Sequence, residues 1–477
     1  MRRALCPVET LYVGQRSRAV LSCSVRGHLD AAALSTAFDT LTAEHPGLRA
    51  RIASDGSGYA LEFLPDTERP RLILRTGGPE VYDEELNSPL SVGGPLARAV
   101  LATEPGAERH LLVLTVDHII TDGHSAITLL NALWDRYGAL VEGTGARPTP
   151  PPAGAELLSV DWPAPVSELL PPSDESETAK YLEWRLTETG RHPVELVPYD
   201  TPRQDPEAVV GAGSTTNGQA AAVTTGAAGT ADGHRIEVRR LLLDAGHTAR
   251  LRQLARETGV SVHGLVSAAL LIAARHRLGG DGPRVLGCLS PVDLRSRLTP
   301  PLSPTVMVAA VSTHLQAVTV DTDTEPLALA REVGVHLRDS IERGDHFQDM
   351  RIMPEVPRNP ALQTGTVIAT NMGSVPGPRL PEGAEVTDVR LVPAREQYFP
   401  QAGRSPLMAC VVSFDGRLAI EFPHYTACFS AAFMEALRDD VRSTLLSFAA
   451  ATTATAATAA TGSGAAADAP SVSAPRA

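Results

Sequence analysis

The feature that most constrains the fold of this chain is a continuous apolar run, Leu111 to Val116, that leads directly into a polar motif and then an amphipathic pattern. A short apolar run without alternation predicts a strand buried on both faces. Apolar residues then recur at helical spacing, which predicts a helix with one buried face. Its apolar positions are Ile127, Leu130, Trp134, Tyr137 and Val141. The chain must therefore turn from a buried strand into a helix within a few residues.

The turn between these two elements contains Asp117, His118, Asp122 and Gly123. A histidine at the end of a buried strand has a fixed backbone, and its reference pKa of about 6.5 suits a general base. Gly123 is expected to take a positive φ, which would let the chain turn sharply into the helix. Asp122 could orient the imidazole or pair with an arginine, and the residues alone leave both roles open.

Other interpretations of the motif do not involve a catalytic base. His118 could be a buried structural histidine with a satisfied hydrogen bond. His118, Asp122 and His124 could be metal ligands, but zinc sites usually draw three or four ligands from well-spaced elements. No fourth ligand accompanies them in the sequence, so no metal is expected, and His124 is predicted to line a pocket or begin the helix. The sequence has no G-x-S-x-G elbow, which argues against a serine hydrolase.

Strand and helix signals alternate along the rest of the chain and predict a mixed α and β fold. Helices are predicted to begin at the capping residues Asp30, Asp244 and Ser261, and the second of them to end at Gly259. Further strands are predicted over Ala19 to Val25, Arg239 to Leu243, Val285 to Leu289, Thr366 to Thr370, Ala409 to Phe414 and Leu418 to Phe422, the last two joined by the hairpin signal Asp415-Gly416.

Composition excludes several classes of protein. The formal charge of −13 argues against a nucleic-acid partner, because neutralising phosphates needs a basic face. Lys180 is the only lysine, which removes lysine chemistry from almost every position. The five cysteines are scattered without C-x-x-C spacing, which favours a reduced, cytoplasmic setting over a disulfide framework or a zinc site. No apolar run reaches the roughly 20 residues of a membrane span, and no signal peptide is expected.

The motif at His118 resembles H-H-x-x-x-D-G, which marks the thioester-dependent acyltransferases, a superfamily that includes chloramphenicol acetyltransferases, plant BAHD acyltransferases and peptide-synthetase condensation domains. One departure is Asp117, which stands where the family usually has the first histidine. A carboxylate beside the base is expected to raise the pKa of His118. Segments that resemble the family in the same order are Gly27 to Leu34, Glu44 to Arg49, Arg256 to His263 and Thr370 to Gly373. Those that resemble the mycobacterial polyketide-associated acyltransferases, of the phthiocerol dimycocerosyl transferase type, are Pro291 to Arg295, Pro300-Pro301 and Pro304-Thr305.

The resemblance implies an α/β (α+β) fold, with two chloramphenicol-acetyltransferase-like lobes in a V around a central substrate channel. His118 would deprotonate a hydroxyl or amine acceptor, which would attack the acyl thioester of CoA or of an acyl carrier protein as co-substrate. The enzyme would need no bound cofactor. Ester formation in polyketide, lipid or peptide specialised metabolism is favoured over amide formation.

The resemblance also assigns supporting residues. Asp122 would pair with Arg295 and hold the loop, with Asp117 and Gly123 beside it. Asn371 and Gly373 would serve strand geometry or contact substrate. The basic residues Arg331 and Arg338 lie seven apart on a predicted helix, where they would either dock a carrier protein or face solvent.

The expected organisation has five parts. They are an N-terminal lobe over 1–175, a connection over 176–203, a flexible low-complexity insertion over 204–233, a C-terminal lobe over 234–448 and a disordered Ala/Thr-rich tail over 449–477. A monomer is expected. Two other functions stay open, which are a non-catalytic condensation-like domain that recruits a partner, and an amide-forming condensation or epimerising domain. Because the sequence shows no adenylation or carrier domain, the second is disfavoured.

Overall fold

The computed structural model describes residues 2–54, 56, 58–144, 162–201, 234–395 and 405–462. In chain order, its first half contains β1 (Arg2–Ala4), α1 (Pro7–Gln15), β2 (Arg18–Gly27), α2 (Ala31–Glu44), β3 (Ala50–Ser54), β4 (Tyr59–Phe63), β5 (Leu72–Thr76), α3 (Glu80–Leu86), β6 (Ala97–Thr103), β7 (Arg109–Asp117), α4 (Gly123–Val141), α5 (Val166–Leu169) and α6 (Glu175–Arg191). The second half contains β8 (Ile236–Leu243), α7 (Ala245–Thr258), α8 (Val262–Leu278), β9 (Arg284–Asp293), β10 (Val311–Val320), α9 (Pro326–Arg343), α10 (Asp345–Ile352), β11 (Val367–Ser374), β12 (Ala384–Ala394), β13 (Leu407–Phe414), β14 (Arg417–Tyr425) and α11 (Ala431–Gly462).

The strands form one large mixed sheet in each lobe and a small third sheet. The first-lobe sheet has five strands in the order β12-β2-β7-β6-β5, and the second-lobe sheet has six in the order β10-β9-β11-β13-β14-β8. The small sheet has the order β1-β4-β3. β7 is antiparallel to β2, whereas β11 is parallel to both β9 and β13. The predicted α/β fold with two lobes is confirmed.

One strand crosses between the two halves of the chain. β12 lies in the second half of the sequence, yet it pairs with β2 along its whole length, with Val392 opposite Val20. The segment predicted as the C-terminal lobe therefore contributes a strand to the sheet of the first lobe. Local patterning could not show this, because it indicates that a segment is a strand and not which sheet it joins.

The local signals in the sequence act as expected. Asp30 accepts hydrogen bonds from the first turn of α2, Asp244 from that of α7 and Ser261 from that of α8. Helix α7 ends at Gly259, whose φ is +67°. All six of the further strands predicted are present, within a few residues of their expected ends. One residue predicted to lie on the buried face of a helix does not do so. Val141, at the end of α4, is 46% exposed and lies beyond the core.

The predicted connection and tail contain helices. Helix α6 occupies much of the segment 176–203, and its Arg185 donates a hydrogen bond to the carbonyl of Leu315 on the edge strand β10. Helix α11 runs past position 449, where the disordered tail was expected to begin, and ends at Gly462. The alanines of this stretch have the highest helix propensity of any residue, which explains the continuation. The predicted insertion over 204–233 lies outside the described residues, as do residues 463–477.

A separate group of buried side chains joins the two lobes. We call it the inter-lobe cluster, and it lies between the two large sheets, apart from the core of each lobe. Removing this apolar surface from water holds the lobes against each other. Its members are Val20, Tyr82, Leu86, Val113, Ile236, Leu289, Leu315, Ile368, Val392, Ala394, Met408 and Cys410.

Among the described residues, no individual helix has both the length and the apolar character needed to cross a membrane. Helices α7 and α8 meet the length and hydropathy requirements only when they are taken together, and this pair is bent by 105°.

Candidate active site

The site forms where the central strand β7 leaves the first-lobe sheet. Backbone hydrogen bonds fix the chain at this point, from the N–H of Asp117 to the carbonyl of Leu96 (2.8 Å) and from the N–H of His118 to the carbonyl of Ser17 (2.9 Å). The strand itself is buried over most of its length, as its apolar run predicted. His118 is therefore presented from a rigid support.

Asp122 holds the end of this loop with both of its carboxylate oxygens. Oδ1 accepts a hydrogen bond from the N–H of Ser125 (2.8 Å), which makes Asp122 the N-cap of α4. Oδ2 accepts hydrogen bonds from Arg295 Nε (2.9 Å) and from the N–H of Ala310 (3.0 Å), and it forms an ion pair with Nη2 of Arg295 at 2.8 Å. The predicted pair with Arg295 is thus present. The alternative role, orienting the imidazole of His118, is not what the carboxylate does here.

Arg295 ties the same carboxylate to the second lobe. Its guanidinium also donates to the carbonyls of Ser303 and Val308, each at 2.8 Å. The side chains of Asp122 and Arg295 are each only 4% exposed. Each charge compensates the other, and removing either one would leave a buried charge without its partner, which is costly. The loop that carries His118 is therefore clamped across the two lobes.

The imidazole of His118 stacks on a tyrosine that the sequence analysis did not single out. The rings of His118 and Tyr12 on α1 are parallel within 3°, with their centroids 4.8 Å apart. Nδ1 of His118 is buried and forms no hydrogen bond with the described residues. The stack therefore fixes the plane of the ring. No spacing in the sequence links Tyr12 with His118, so only the fold could reveal the contact.

The surroundings of His118 favour its neutral form. Burial lowers the pKa of His118 to about 4, and the positive charge of Arg395, just after β12, acts in the same direction. The carboxylate of Asp122 and the backbone of His118 and Thr121 oppose this shift in pKa but do not reverse it. At neutral pH the imidazole is uncharged and can accept a proton.

The pKa of His118 is lowered, not raised as the neighbouring Asp117 had led us to expect. Oδ1 of Asp117 accepts a hydrogen bond from the N–H of Ile119 (2.9 Å). The predicted upward shift is wrong, because burial dominates. Through its hydrogen bond to the N–H of Ile119, Asp117 stabilises the turn after β7.

Gly123 is needed for a different reason from the one predicted. It begins α4, and its φ is not positive. A Cβ at this position would lie 2.5 Å from Sδ of Met372 and 2.9 Å from its Cε. A side chain at this position would push Met372 aside, so glycine allows the start of α4 to pack against β11 with Met372 in place. The prediction of a positive φ at Gly123 is therefore wrong. The glycine instead makes room for close packing against Met372.

A cavity of about 180 Å³ lies beside His118, between the two large sheets. The described residues show this cavity but not the continuous channel that was predicted. Residues of the first-lobe sheet and its loops that line it are Ala19, His118, Asp122, Gly123, His124, Leu391, Pro393 and Arg395, together with Tyr12 of α1. From the second lobe come Pro291, Asp293, Ala310, Val311, Thr313, Ile368, Thr370, Asn371, Met372, Met408, Cys410, Val411 and Val412.

The other predicted site residues divide between the cavity and the surface. His124 and Asn371 line the cavity, whereas Gly373 does not. Gly373 has a φ of +69° at an irregularity in β11, and its N–H donates to Oδ1 of Asn371 (2.8 Å). Arg331 and Arg338 are exposed on α9, away from the cavity. Within the described ranges, no three His, Cys, Asp or Glu side chains group as metal ligands.

The sequence of the chain is similar to that of known acyl-transferring proteins. Residues 232–423 match the family model described as "Phthiocerol/phthiodiolone dimycocerosyl transferase C-terminus". The chain is 26% identical over 456 residues to a phthiocerol/phthiodiolone dimycocerosyl transferase of Mycobacterium ulcerans, and the alignment covers 92% of this chain and 95% of that protein.

Solved structures share the fold. Polyketide synthase associated protein 5 from Mycobacterium tuberculosis superposes with a TM-score of 0.65 at 21% identity, covering 92% of this chain and 97% of that one. A trichothecene 15-O-acetyltransferase from Fusarium sporotrichioides gives 0.67 at 12% identity, with coverage of 94% and 95%. The first condensation domain of the CDA synthetase gives 0.62 at 16% identity, with coverage of 93% and 96%. The resemblance predicted from the sequence, to acyltransferases of the condensation-domain fold, is confirmed.

Proposed function

We propose that this chain, similar over most of its length to dimycocerosyl transferases and built on the fold of acetyltransferases and condensation domains, transfers an acyl group from a thioester to an acceptor hydroxyl. The observation that supports this most directly is a neutral His118 on the wall of a cavity between two lobes. General base catalysis requires an unprotonated imidazole within reach of both substrates. The donor would be acyl-CoA or an acyl carrier protein.

The reaction needs one proton carrier. His118 would take the proton of the acceptor through Nε2, because Nδ1 is buried. The acceptor oxygen would then attack the thioester carbonyl, and the carbon–sulfur bond would break. The leaving thiolate would receive the proton from the imidazolium, which returns His118 to its neutral form.

Two candidate nucleophiles that line the cavity, Cys410 and Tyr12, are poorly suited to carry the acyl group. Burial raises the pKa of the Cys410 thiol well above its usual range, so it stays protonated and weakly nucleophilic. Burial likewise raises the pKa of Tyr12 to about 12. Direct transfer from donor to acceptor is therefore favoured over a covalent acyl-enzyme.

An oxygen acceptor is favoured over nitrogen by the names of similar proteins. One is called an O-acetyltransferase, and the curated relative is named for mycocerosyl transfer to phthiocerol or phthiodiolone. By that analogy the setting would be the specialised metabolism of polyketides or lipids.

The test is an assay of the purified chain with acyl-CoA donors from acetyl to palmitoyl and a panel of alcohols and amines. Release of free thiol and the mass of the acylated product are measured together. His118→Ala should lower the rate by about 10²- to 10⁴-fold while the protein stays folded.

The matched control is His263→Ala. Burial also lowers the pKa of His263 to about 4, but this residue bonds to Ser290 and does not line the cavity. Near-normal turnover by His118→Ala would rule out the mechanism. Acylation of amines alone would indicate an amide-forming enzyme, and no turnover with any donor would favour a recruitment domain.

A further inference from the structure

The aromatic ring of Tyr12, on α1, covers one face of the His118 imidazole. The two rings are parallel within 3°, and their centroids are 4.8 Å apart. Tyr12 also lines the cavity, so the stack stands at the edge of the space in which acyl transfer would occur. Any role of this ring in catalysis depends on that proposed reaction.

On Nδ1 of His118 the usual polar support of a catalytic histidine is missing, because this buried atom forms no hydrogen bond with the described residues. The carboxylate of Asp122 is engaged by Arg295 and by the N–H of Ala310, so it does not orient the ring. The terminal torsion of a histidine side chain has a broad range when nothing restricts it. The face contact with Tyr12 restricts it here.

Helix α1 holds Tyr12 in a fixed place, because its first turn is anchored. Glu9 is buried and accepts hydrogen bonds from the N–H of Cys6 (2.9 Å) and from Arg3 Nη2 (2.8 Å). Val8, one helical turn before Tyr12, is buried in a cluster that packs against the tyrosine. The aromatic ring therefore stands on a rigid element.

One segment of the second lobe supports both partners of the stack. Tyr12 packs against a cluster that includes Leu294 and Val308. Arg295 follows Leu294, forms the ion pair that clamps the His118 loop and donates a hydrogen bond to the carbonyl of Val308. Neither ring can shift without disturbing this common support, which is how a site keeps its functional groups in a productive geometry.

The stack also suits the charge that His118 would gain during the reaction. A positive charge over an aromatic ring is attracted by the negative face of the π system. Tyr12 itself stays neutral, because burial raises its pKa to about 12. The imidazolium that forms when His118 takes a proton would therefore be stabilised by the ring, in a site where burial disfavours that charge.

We propose that Tyr12 is a positioning residue for acyl transfer. Its ring fixes the plane of the His118 imidazole beside the cavity and stabilises the imidazolium while the acceptor attacks the thioester. The phenol hydroxyl is not required for this role. Tyr12 acts through His118 and not on the substrates directly.

Replacement of Tyr12 tests the proposal in the purified chain, with the donor and the alcohol that the wild type uses best. Tyr12→Phe keeps the ring and should have a kcat close to that of the wild type. Tyr12→Leu removes the ring and should lower kcat by about tenfold to a hundredfold with little change in KM, because a misplaced base slows the chemical step. A normal kcat in Tyr12→Leu would overturn the proposal, and so would an equal loss of kcat in both variants.

NMR of the histidine ring protons reports the stack without substrate. The chain has 14 histidines, and the signals of His118 are those that are absent from His118→Ala. The ring current of Tyr12 should displace them, and the displacement should persist in Tyr12→Phe and disappear in Tyr12→Leu. An undisplaced wild-type signal would contradict the stack. If Tyr12→Leu does not fold, Tyr12→Met replaces it, because its flexible side chain fills the space without a ring.

The matched control is Phe63→Leu. Phe63 stacks on Trp162 in the same lobe, with the centroids 4.3 Å apart and the planes within 17°, and it does not line the cavity. This variant should lose stability and keep the wild-type kcat. An equal fall in kcat would mean that Tyr12→Leu acts through general loss of packing, and the positioning role would be wrong.

The outcome is separable from that of the proposed function. If His118→Ala abolishes turnover while Tyr12→Leu keeps the wild-type kcat, acyl transfer stands and only the role of Tyr12 fails. If the wild type releases no thiol from any donor, the proposed function fails and the role of Tyr12 fails with it.

Discussion

His118 shows how the surroundings of one side chain set its protonation state. The carboxylate of Asp117, next to His118 in the sequence, suggested a raised pKa for the imidazole. Burial and the charge of Arg395 instead lower the pKa of His118 to about 4. A base with this pKa is weaker than an ordinary histidine, but it is unprotonated throughout the neutral range.

The lowered pKa predicts a particular pH profile. We expect kcat/KM to stay level from neutral pH down to about pH 5 and to fall only as His118 becomes protonated near its pKa of about 4. Arg395→Gln removes a positive charge that disfavours imidazolium, so the fall should move to higher pH. Arg331→Gln, on the exposed face of α9, should leave the profile unchanged. A wild-type fall centred near pH 6.5 would contradict this account.

The buried pair of Asp122 and Arg295 predicts a loss of stability when one partner is removed. Arg295→Leu leaves the carboxylate buried without its cation, which costs roughly 3–5 kcal/mol. Adding Asp122→Asn should recover part of the loss, because the buried charge disappears and asparagine still caps α4. The free energy of unfolding in urea measures both effects.

A surface ion pair provides the control for that experiment. Arg358 pairs with Glu355 while its side chain is 75% exposed, so Arg358→Leu should cost no more than about 1 kcal/mol. If Arg295→Leu is as stable as Arg358→Leu, the buried pair does not clamp the loop.

At the scale of elements, the contact between the start of α4 and β11 shapes the site. Gly123 allows α4 to begin against Met372, and Met372 in turn forms part of the cavity wall. The two elements belong to different lobes. Their approach therefore determines both the position of the His118 loop and the width of the cavity.

Gly123→Ala should affect activity more than stability. The new Cβ would meet Sδ and Cε of Met372, and this flexible side chain can move, so the cost in unfolding free energy should lie at the low end of about 1–3 kcal/mol. The displaced side chain would enter the cavity and lower kcat/KM, and adding Met372→Ala should restore it. Gly190→Ala, on the exposed face of α6 with open space around it, should leave activity unchanged. A failure of the double variant to recover would show that Met372 is not the cause.

At the scale of the whole molecule, the two lobes are not independent units. β12 belongs to the first-lobe sheet although it lies within the second half of the chain. Charged groups fasten it to the second lobe as well, because Arg390 on β12 forms two hydrogen bonds of 2.9 Å with Glu421 on β14, and Asp388 binds Arg240 on β8. The active site between the lobes therefore depends on both of them.

This arrangement predicts that both lobes unfold together. Calorimetry should give a single transition, and thiol reagents should reach Cys23 of the first lobe and Cys428 of the second at the same temperature, since both cysteines are buried and free. Val392→Ala, in the inter-lobe cluster, should lower this one midpoint and leave the transition undivided. Two separate transitions, each exposing one cysteine, would contradict the prediction.

The sequence by itself determined the local structure and much of the site. Capping residues placed the starts of α2, α7 and α8, Gly259 placed the end of α7, and apolar patterns placed seven of the described strands, though not β12, because these features depend on neighbours a few residues away. The motif around His118 pointed to the site for the same reason. The pair of Asp122 and Arg295, 173 residues apart, was expected from the family resemblance and not from local patterns.

Only the tertiary structure decided the properties that depend on distant groups. These are the sheet that β12 joins, the stack of Tyr12 on His118, the contact of Gly123 with Met372 and the lowered pKa of His118. Periodicity carries no information on such pairings, because it records which face of an element is apolar and not what covers that face. Burial, which lowers the pKa of His118, exists only once both lobes have packed together.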